Sequence, residues 1–540
     1  MSDFATASGS SPQGVSLLDR KMKHSPAWLS GLIVAIALIG GLGYVGFNIA
    51  GDLGGVSLGS VWPYVLLATA LFIALGFEFV NGFHDTANAV ATCIYTHSLE
   101  PNLAVVYSGI CNLIGVLLSS GIVAFTIITL LPVELILKVS SGAGFAMVFA
   151  LLIAAILWNL ATWWKGLPAS STHTMTGSII GVGLANQLLS GGGGTSGVDW
   201  SQATKVLWTL LISPFVGFLC AFLLFLLAKA FIKYPELYQS PKDNTPPPFP
   251  IRLLLILTCG GVSFFHGSND GQKGMGLIML ILIGTVPTAY ALNHAIGPQG
   301  VQDFIAASRH AVTILEAHED KSATVGDPAA ELTAFLQSKQ FKPTTLTALR
   351  MQIENLEGDV TAYGSFKSLP AGQQTNVRNG MYLASETLRL MNKKNTVAFS
   401  TDEHAALDNY RKRIDNATKF IPNWVKVAVA LALGLGTMVG WKRIVVTVGE
   451  KIGKEHLTYA QGASAELVAM ATIFAADYGG LPVSTTHVLS SGVAGTMAAN
   501  KSGLQISTIR NIAMAWVFTL PAAALLSGLL FALFRSFVSH

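Results

Sequence analysis

The sequence GLPASSTH at residues 166–173 is the main clue to the architecture of this chain, because it returns as GLPVSTTH at residues 480–487. Two copies of a rare sequence indicate an internal duplication. Each copy lies between apolar segments and places a proline and several hydroxyls where a helix has to break, which exposes free backbone N–H groups. Because exposed N–H groups at the start of a helix bind anions, each copy is a candidate anion site.

A second pair of motifs supports the duplication. Residues 81–89 read NGFHDTANA and residues 266–274 read HGSNDGQKG, an alignment that places Asp85 opposite Asp270. The distance from this motif to the hydroxyl motif is about 130 residues longer in the second unit than in the first, by the same alignment. The second unit is therefore expected to carry an insertion.

The composition predicts a membrane protein. Of the 540 residues, 51% are hydrophobic and 11% are charged, against roughly 25% charged residues in soluble domains. The mean hydropathy of +0.54 agrees with that class. Apolar segments near or above the roughly 20 residues that a bilayer demands occur at 29–49, 61–82, 103–131, 145–164, 206–231, 253–285, 424–440, 459–479 and 511–534.

We therefore predict an all-α polytopic membrane protein with two homologous, inverted repeats, broken helices and two re-entrant helical hairpins, plus a small helical extramembrane insertion. The predicted division of the chain is 1–28 disordered N-terminal segment, 29–49 additional transmembrane helix, 61–232 first repeat, 233–252 Pro-rich linker, 253–292 start of the second repeat, 293–421 polar helical insertion and 422–535 remainder of the second repeat.

Charge and cysteine usage exclude several classes of protein. The net charge of +4 is too small to indicate a nucleic-acid partner. The four cysteines lie in or beside apolar segments without a CxxC spacing, so we interpret them as packing residues. They are Cys93, Cys111, Cys220 and Cys259.

The hydroxyls of the two octets are candidate phosphate ligands, because hydroxyls and exposed N–H groups together suit a tetrahedral oxyanion. They are Ser170, Ser171, Thr172, Ser484, Thr485 and Thr486. The alternative is that they only cap two core helices, as any serine or threonine can. Two copies with nearly the same spelling favour the anion site.

Two aspartates lie at membrane depth, where an ionisable group costs a few kcal/mol unless it faces a partner or a water-filled cavity. Asn88 follows Asp85 by one helical turn, so the carboxylate and the amide are candidates for holding a cation or sharing a proton. The matching position after Asp270 is Lys273, which suits a phosphate contact or an ion pair better than a second cation site.

Further polar residues inside apolar segments are open to two interpretations. Glu78 and Glu466 are either proton relays or structurally paired carboxylates. Four histidines adjoin the motifs and are expected to be hydrogen-bonded, gating or proton-carrying residues, since zinc ligands at His-x₃-His spacing are absent. They are His84, His173, His266 and His487.

With these motifs the chain resembles the PiT family of inorganic phosphate transporters, and within it the bacterial PitA-type low-affinity permeases. The resemblance rests on FHDTAN at 83–88, on GSND at 267–270 and on the two octets, and it covers nearly all of residues 61–535. His84 and the GQK sequence at 271–273 depart from the usual family spelling.

The resemblance implies a secondary transporter, not an enzyme, in the bacterial inner membrane, with phosphate bound between the two hairpins and with Asn269 and Lys273 beside it. PitA-type members resemble proton symporters that carry a neutral divalent-metal phosphate complex, and Lys273 in place of an amide fits the loss of a sodium ligand. No cofactor is expected. The expected partners are phosphate, protons or sodium, divalent cations such as magnesium, and the bilayer, while a homodimer stays open.

Other functions remain as alternatives from the sequence. A sulfate permease or a sodium-coupled phosphate symporter would have the same fold. An intramembrane hydrolase would use a serine and a histidine, but no Gly-x-Ser-x-Gly elbow is present and a duplication gives two equal half-sites. No Gly-x₄-Gly-Lys-Ser/Thr loop is present, so transport is expected to be gradient-driven.

Overall fold

The computed structural model describes residues 27–54, 61–85, 87–190, 197–241 and 245–538. Within these ranges the protein is helical without β-strands, apart from an isolated bridge between Gly453 and Leu504. The prediction of an all-α chain is confirmed. Of the predicted disordered segment 1–28, residues 1–26 lie outside the described ranges.

The first half of the chain forms nine α-helices. They are α1 (Ala27–Leu53), α2 (Trp62–Asp85), α3 (Ala87–Tyr95), α4 (Pro101–Leu118), α5 (Ile122–Ile128), α6 (Val133–Leu137), α7 (Gly142–Trp164), α8 (Ser171–Leu189) and α9 (Trp200–Phe231). A short 3₁₀ turn at Pro235–Tyr238 lies in the linker that was predicted to be rich in proline.

The second half begins with a long helix and then leaves the apolar bundle. These helices are α10 (Phe249–Thr285) and α11 (Pro287–Tyr290), followed by α12 (Pro298–His318), α13 (Pro328–Ser338), α14 (Pro343–Tyr363), α15 (Ala371–Lys394) and α16 (Thr401–Thr418) of the insertion. The chain then returns with α17 (Asn423–Thr437), α18 (Lys442–Glu450), α19 (Tyr459–Tyr478), α20 (Thr485–Ala499) and α21 (Ile506–Val538).

The structure describes the backbone fully at only one of the two aspartate motifs. Helix α10 runs without interruption through Asp270, and Lys273, three residues further, pairs with that carboxylate. The expectation of a broken helix is therefore not met at Asp270. In the first motif α2 ends at Asp85 and α3 begins at Ala87, and Thr86 between them lies outside the described residues, so a broken helix there stays a prediction.

The two predicted units are interlocked. Helix α8 packs along α21, and α20 packs along α9, so each hairpin helix lies against the last helix of the other half. Glycines allow the backbones to approach closely: a Cβ atom at Gly181 would lie 2.0 Å from Ala524 O, and one at Gly495 would lie 2.2 Å from Phe218 O. This reciprocal contact is what an inverted duplication predicts.

The prediction of a multi-pass membrane protein is confirmed. Among the described residues, seven helices are long and apolar enough to cross a bilayer, or up to eight if α16 and α17, bent by 69°, form one span. The segments predicted at 424–440 and 459–479 do not qualify as single spans. Helix α17 has only 15 residues, and α19 carries polar side chains that include Gln461 and Glu466.

The insertion is a helical subdomain with closely spaced ends. Asn293 N donates to Ala417 O at 2.8 Å, which brings the first and last residues of the subdomain together. Its own apolar core is centred on buried residues such as Leu349 and Tyr410. Arg378 Nη1 donates to Ile136 O at 3.3 Å, so the subdomain is anchored to α6 of the first half.

A capping box starts the last helix of the insertion. Ser400 N donates to Glu403 Oε2 at 2.7 Å, and Glu403 N donates to Ser400 Oγ at 3.3 Å. Glu403 Oε1 also lies 3.0 Å from His318 Nε2. The backbone hydrogen bond from Ser400, followed by the contact with His318, lowers the pKa of Glu403 to about 2.

Candidate functional site

The two octets fold into the same turn. Helix α7 is followed by Gly166 with φ +64°, and α19 by Gly480 with φ +65°, both in the left-handed region that glycine adopts without strain. Leu167 N donates to Thr162 O at 3.0 Å, and Leu481 N donates to Ala476 O at 2.8 Å. Each turn thus ends one helix with a left-handed cap just before the proline and the hydroxyls.

The first hydroxyl of each octet caps the helix that follows. Ser170 Oγ accepts from His173 N and Ser484 Oγ accepts from His487 N, each at 3.1 Å. These two predicted phosphate ligands therefore satisfy one free N–H group of α8 and of α20 respectively. Of the hydroxyls that follow, Ser171 and Thr486 donate to Asp85.

Asp85 accepts hydrogen bonds from both hairpins. Thr486 Oγ1 of the second hairpin donates to Asp85 Oδ1 at 2.8 Å, and Ser171 Oγ of the first donates to Asp85 Oδ2. His84 Nδ1 lies 3.0 Å from Asp85 Oδ1, and its Nε2 lies 3.1 Å from Thr162 Oγ1. The structure thus brings a residue of each octet to one buried carboxylate.

Asp270 forms the second half of the centre. Lys273 Nζ lies 2.6 Å from Asp270 Oδ1 and also donates to Thr172 Oγ1. Ser171 Oγ donates to Asp270 Oδ2 at 3.3 Å, so this hydroxyl bridges both aspartates. Lys273 is fully buried, which makes the ion pair costly to break.

The backbone of the second hairpin is held by the first and by α10. Thr172 Oγ1 donates to Val483 O at 3.0 Å. Asn269 Nδ2 donates to Leu481 O at 3.1 Å, and Asn269 Oδ1 accepts from Val483 N at 3.3 Å. Asn269 is therefore a positioning residue for the hairpin, in addition to being a predicted phosphate ligand.

One side-chain group has the composition of a cation site. Ligand atoms of Asp85, His266 and Asp270 all lie within 4.8 Å of one another, and the three residues are buried. His266 Nδ1 lies 2.9 Å from Asn112 Oδ1, which orients the ring, and His266 Nε2 lies 3.6 Å from Asp270 Oδ2. Two carboxylates with an imidazole suit a divalent transition metal, and carboxylates with hydroxyls suit magnesium.

The two intramembrane glutamates lie in different places. Glu78 is fully buried against the backbone of Gly274, one residue beyond Lys273. Glu466 accepts from Thr92 Oγ1 and Thr258 Oγ1 instead. Thr258 precedes Asp270 by twelve residues on the continuous helix α10, a rise of about 18 Å along its axis, so this bond of Glu466 is made away from the aspartates.

The remaining predicted residues have no described hydrogen bond to Asp85 or Asp270. The hydroxyl of Thr485 is buried and makes no hydrogen bond within the described residues. The side chain of Asn88 lies outside the described part of the structure. The rings of His173 and His487 stack with centroids 4.3 Å apart, and His487 stacks on Trp516 at 4.1 Å, so these histidines pack beside the hairpins rather than on the aspartates.

The sequence reasoning missed Asp477. Its Oδ2 accepts from Ser268 Oγ and its Oδ1 accepts from Gln272 Nε2, both at 2.7 Å. It thereby fixes α10 on both sides of Asn269 to the end of α19. A carboxylate directly before the second octet, within an apolar segment, was the signal that could have identified it.

These helices and their buried polar centre define a multi-pass helical membrane transporter. A family model described as the phosphate transporter family matches residues 81–527. The chain is 44% identical over 500 residues to the low-affinity inorganic phosphate transporter PitA of Escherichia coli (strain K12), covering 88% of this chain and 97% of that protein. The chain therefore belongs to the phosphate transporter family.

Further comparisons extend across bacteria. The low-affinity inorganic phosphate transporter PitB of Escherichia coli (strain K12) is 41% identical over 87% of this chain and 96% of its own. A probable low-affinity inorganic phosphate transporter of Bacillus subtilis (strain 168) is 27% identical over 86% and 96%. A solved structure, the sodium-dependent phosphate transporter, is 19% identical and covers 87% of this chain and 99% of its own, with a TM-score of 0.48. The relatives are transporters, so the prediction of a non-enzyme is confirmed and the hydrolase alternative is wrong.

Proposed function

We propose that this protein imports inorganic phosphate with low affinity, together with a divalent cation, by proton symport across a bacterial inner membrane. The observation that carries the proposal is the convergence of two helix-starting hairpins on two aspartates and one lysine. The hairpins supply hydroxyl donors, and the aspartates and the lysine supply both signs of charge. Membership of the phosphate transporter family supports phosphate as the substrate.

The charge of the centre favours entry of phosphate with a cation. Asp85 and Asp270 carry two negative charges, and Lys273 supplies one positive charge. A phosphate dianion alone would add to this negative charge in a buried site, where like charges repel strongly. A divalent cation held by Asp85, Asp270 and His266 would balance the dianion, so that a neutral complex is carried.

The same carboxylates favour phosphate over sulfate. Hydrogen phosphate keeps an O–H group near neutral pH and can donate to a carboxylate, whereas sulfate has no proton to donate. A buried carboxylate that faces a ligand without a donor loses a hydrogen bond, and a site built to use such a bond rejects the analogue strongly. Asp85, which already accepts from two hydroxyls, is the acceptor nearest both hairpins.

The two aspartates are proposed to have different roles. Asp270 is paired with Lys273 on the same helix and supports anion binding through Thr172. Asp85 has neutral hydroxyl partners from both hairpins and the histidine ring of His84, so it is our candidate for the proton-coupling residue. Glu78 of α2 is buried against Gly274 of α10, the residue after Lys273. It is our candidate for a proton relay next to the centre.

Transport into liposomes that contain the purified protein tests the proposal. Labelled phosphate should accumulate with an imposed proton gradient and magnesium, should lose accumulation when magnesium is chelated, and should not be displaced by excess sulfate. Empty liposomes are the control. Uptake driven by sodium and indifferent to pH would replace proton coupling with sodium coupling, and equal competition by sulfate would overturn the assigned substrate.

A further inference from the structure

A cavity of about 430 Å³ lies between the insertion and the apolar helices. Its walls include Lys205 of α9 and Arg389 and Lys419 of the insertion, and its floor is formed by the peptides of Gly480 and Leu481. The insertion therefore packs over the apolar helices and encloses a cavity with them.

The floor of this cavity is the outer side of the second hairpin. Leu481 O accepts from Asn269 Nδ2 at 3.1 Å, and the octet continues from Leu481 through Pro482 to the hydroxyls of the centre. Ile122, which also lines the cavity, packs against this turn, since a Cβ atom on Gly480 would lie 2.6 Å from Ile122 Cγ2. Leu481 therefore lines the cavity and also accepts a hydrogen bond from Asn269, the residue before Asp270.

The rim of the cavity carries more positive than negative charge. Arg389 lies 2.6 Å from Glu386 and 3.4 Å from Asp199, and Lys339 lies 3.5 Å from the same Asp199. The two carboxylates, Glu386 and Asp199, are therefore already paired with the two cations Arg389 and Lys339. Lys419 at the opposite wall is matched by its own Asp415 at 2.9 Å.

Two lysines supply the excess of positive charge. Lys205 lies on the cavity wall, and Lys393, one helical turn after Arg389 on α15, lies outside the cavity lining but close enough to Lys205 for their charges to interact. Both are exposed, and within the described residues no carboxylate oxygen lies within 4.0 Å of either ammonium. Partial burial and the positive charge of Lys205 lower the pKa of Lys393, against the opposing effect of Asp199. Cations that repel one another in this way favour the binding of an anion.

We propose that this cavity is an outer phosphate-binding vestibule, in which Lys205 on its wall holds the hydrogen phosphate dianion, with Lys393 beside Lys205 adding to the positive charge. The inference rests on the proposed function, and it makes the insertion part of the substrate path. The phosphate meets its cation only at Asp85 and Asp270, where the negative charge lies. The clustered lysines raise the local concentration of the anion and so lower KM, while the chemistry of the centre sets the maximal rate.

The test is equilibrium exchange of labelled phosphate in proteoliposomes, with equal phosphate inside and outside so that the orientation of the protein does not matter. The variant is Lys205→Glu with Lys393→Glu. The matched control is Lys321→Glu with Lys412→Glu, which reverses two exposed lysines that do not line the cavity. Both variants change the net charge equally.

The double variant at the vestibule should raise KM about five- to twentyfold and leave the maximal rate within about twofold, and the difference should shrink as ionic strength rises from about 0.05 to 0.5 M. A KM equal to that of the control, or a loss confined to the maximal rate, overturns the vestibule. If the reversed pair fails to reach the membrane, the neutral pair Lys205→Gln with Lys393→Gln should still raise KM about two- to fivefold.

The same assay separates failure of this inference from failure of the proposed function. If the wild-type protein does not exchange phosphate, the proposed function is wrong. If the wild type exchanges phosphate and the vestibule variant matches its control at low ionic strength, transport stands and the vestibule is wrong.

Discussion

Replacing Lys273 with methionine should destabilise the folded protein, because it leaves Asp270 as a buried carboxylate without its cation. Both side chains are fully buried, and the Nζ–Oδ1 distance is 2.6 Å. Removing one partner of a buried ion pair costs about 3–5 kcal/mol, whereas removing both partners is often close to neutral. Lys273→Met combined with Asp270→Asn should therefore be more stable than Lys273→Met alone.

Phosphate transport should follow a different pattern. Lys273 also donates to Thr172, and in the proposed function it is the buried cation that the anion meets between the hairpins. Losing a hydrogen bond to a charged group costs about 1.5–3 kcal/mol, which corresponds to roughly 10- to 150-fold in affinity. The double variant should thus recover stability without recovering phosphate affinity.

The assay is thermal unfolding in detergent alongside phosphate uptake, for the wild type, the two single variants and the double variant. Lys426→Met is the matched control, since Lys426 Nζ donates to Ser119 O at 2.8 Å and makes no ion pair with a described carboxylate. It should cost about 0.5–1.5 kcal/mol. An unfolding temperature for Lys273→Met no lower than that of this control would refute the reasoning, as would a double variant less stable than both single variants.

Three further predictions follow from the site and from the insertion. Thr172→Val and Thr486→Val should each weaken phosphate affinity about 10- to 150-fold in the uptake assay, whereas Thr472→Val, which loses only a bond to Val468 O of its own helix, should not; wild-type affinity in both site variants would contradict the two-hairpin site. Asp85→Asn should abolish the dependence of accumulation on the proton gradient while phosphate exchange continues at reduced affinity, because Asp85 is also a proposed ligand, and gradient-driven accumulation by this variant would disprove the coupling role given to Asp85. Because the pKa of Glu403 is lowered to about 2, the carboxylate should stabilise the first turn of α16 fully above about pH 4.3, and this stabilisation should be lost as the pH falls toward 2. Amide hydrogen exchange of that turn should therefore become faster in acid in the wild type and much less so in Glu403→Gln. Identical acid profiles of the two proteins would show that the capping box is not the cause.

Local features of the site could be predicted from the sequence. The glycines at 166 and 480 occupy left-handed turns, and the first serine of each octet caps a helix, because such turns and caps depend on a few neighbouring residues. The pairing of Asp270 with Lys273 was foreseen for the same reason, since residues three apart meet on a helix.

Distant contacts could not be predicted in this way. Thr486 binds Asp85 from 401 positions away, and Glu466 is satisfied by threonines of α3 and α10 instead of joining the centre. The sequence could suggest that each of these groups needs a partner, because a buried polar group without one is costly. It could not name the partner, since that depends on how the helices cross.

The sequence by itself determined the class of this protein: its apolar segments require a bilayer, and its repeated octet requires two helix starts rich in hydroxyls. The tertiary structure alone shows that both octets meet at Asp85, that α10 continues without a break through Asp270, and that the insertion covers a cavity lined in part by Gly480 and Leu481 of the second octet. The physical reason is the distance along the chain between the residues that interact. Turns, caps and hydropathy depend on neighbours in the chain, whereas a shared binding centre depends on the packing of helices that hundreds of residues separate.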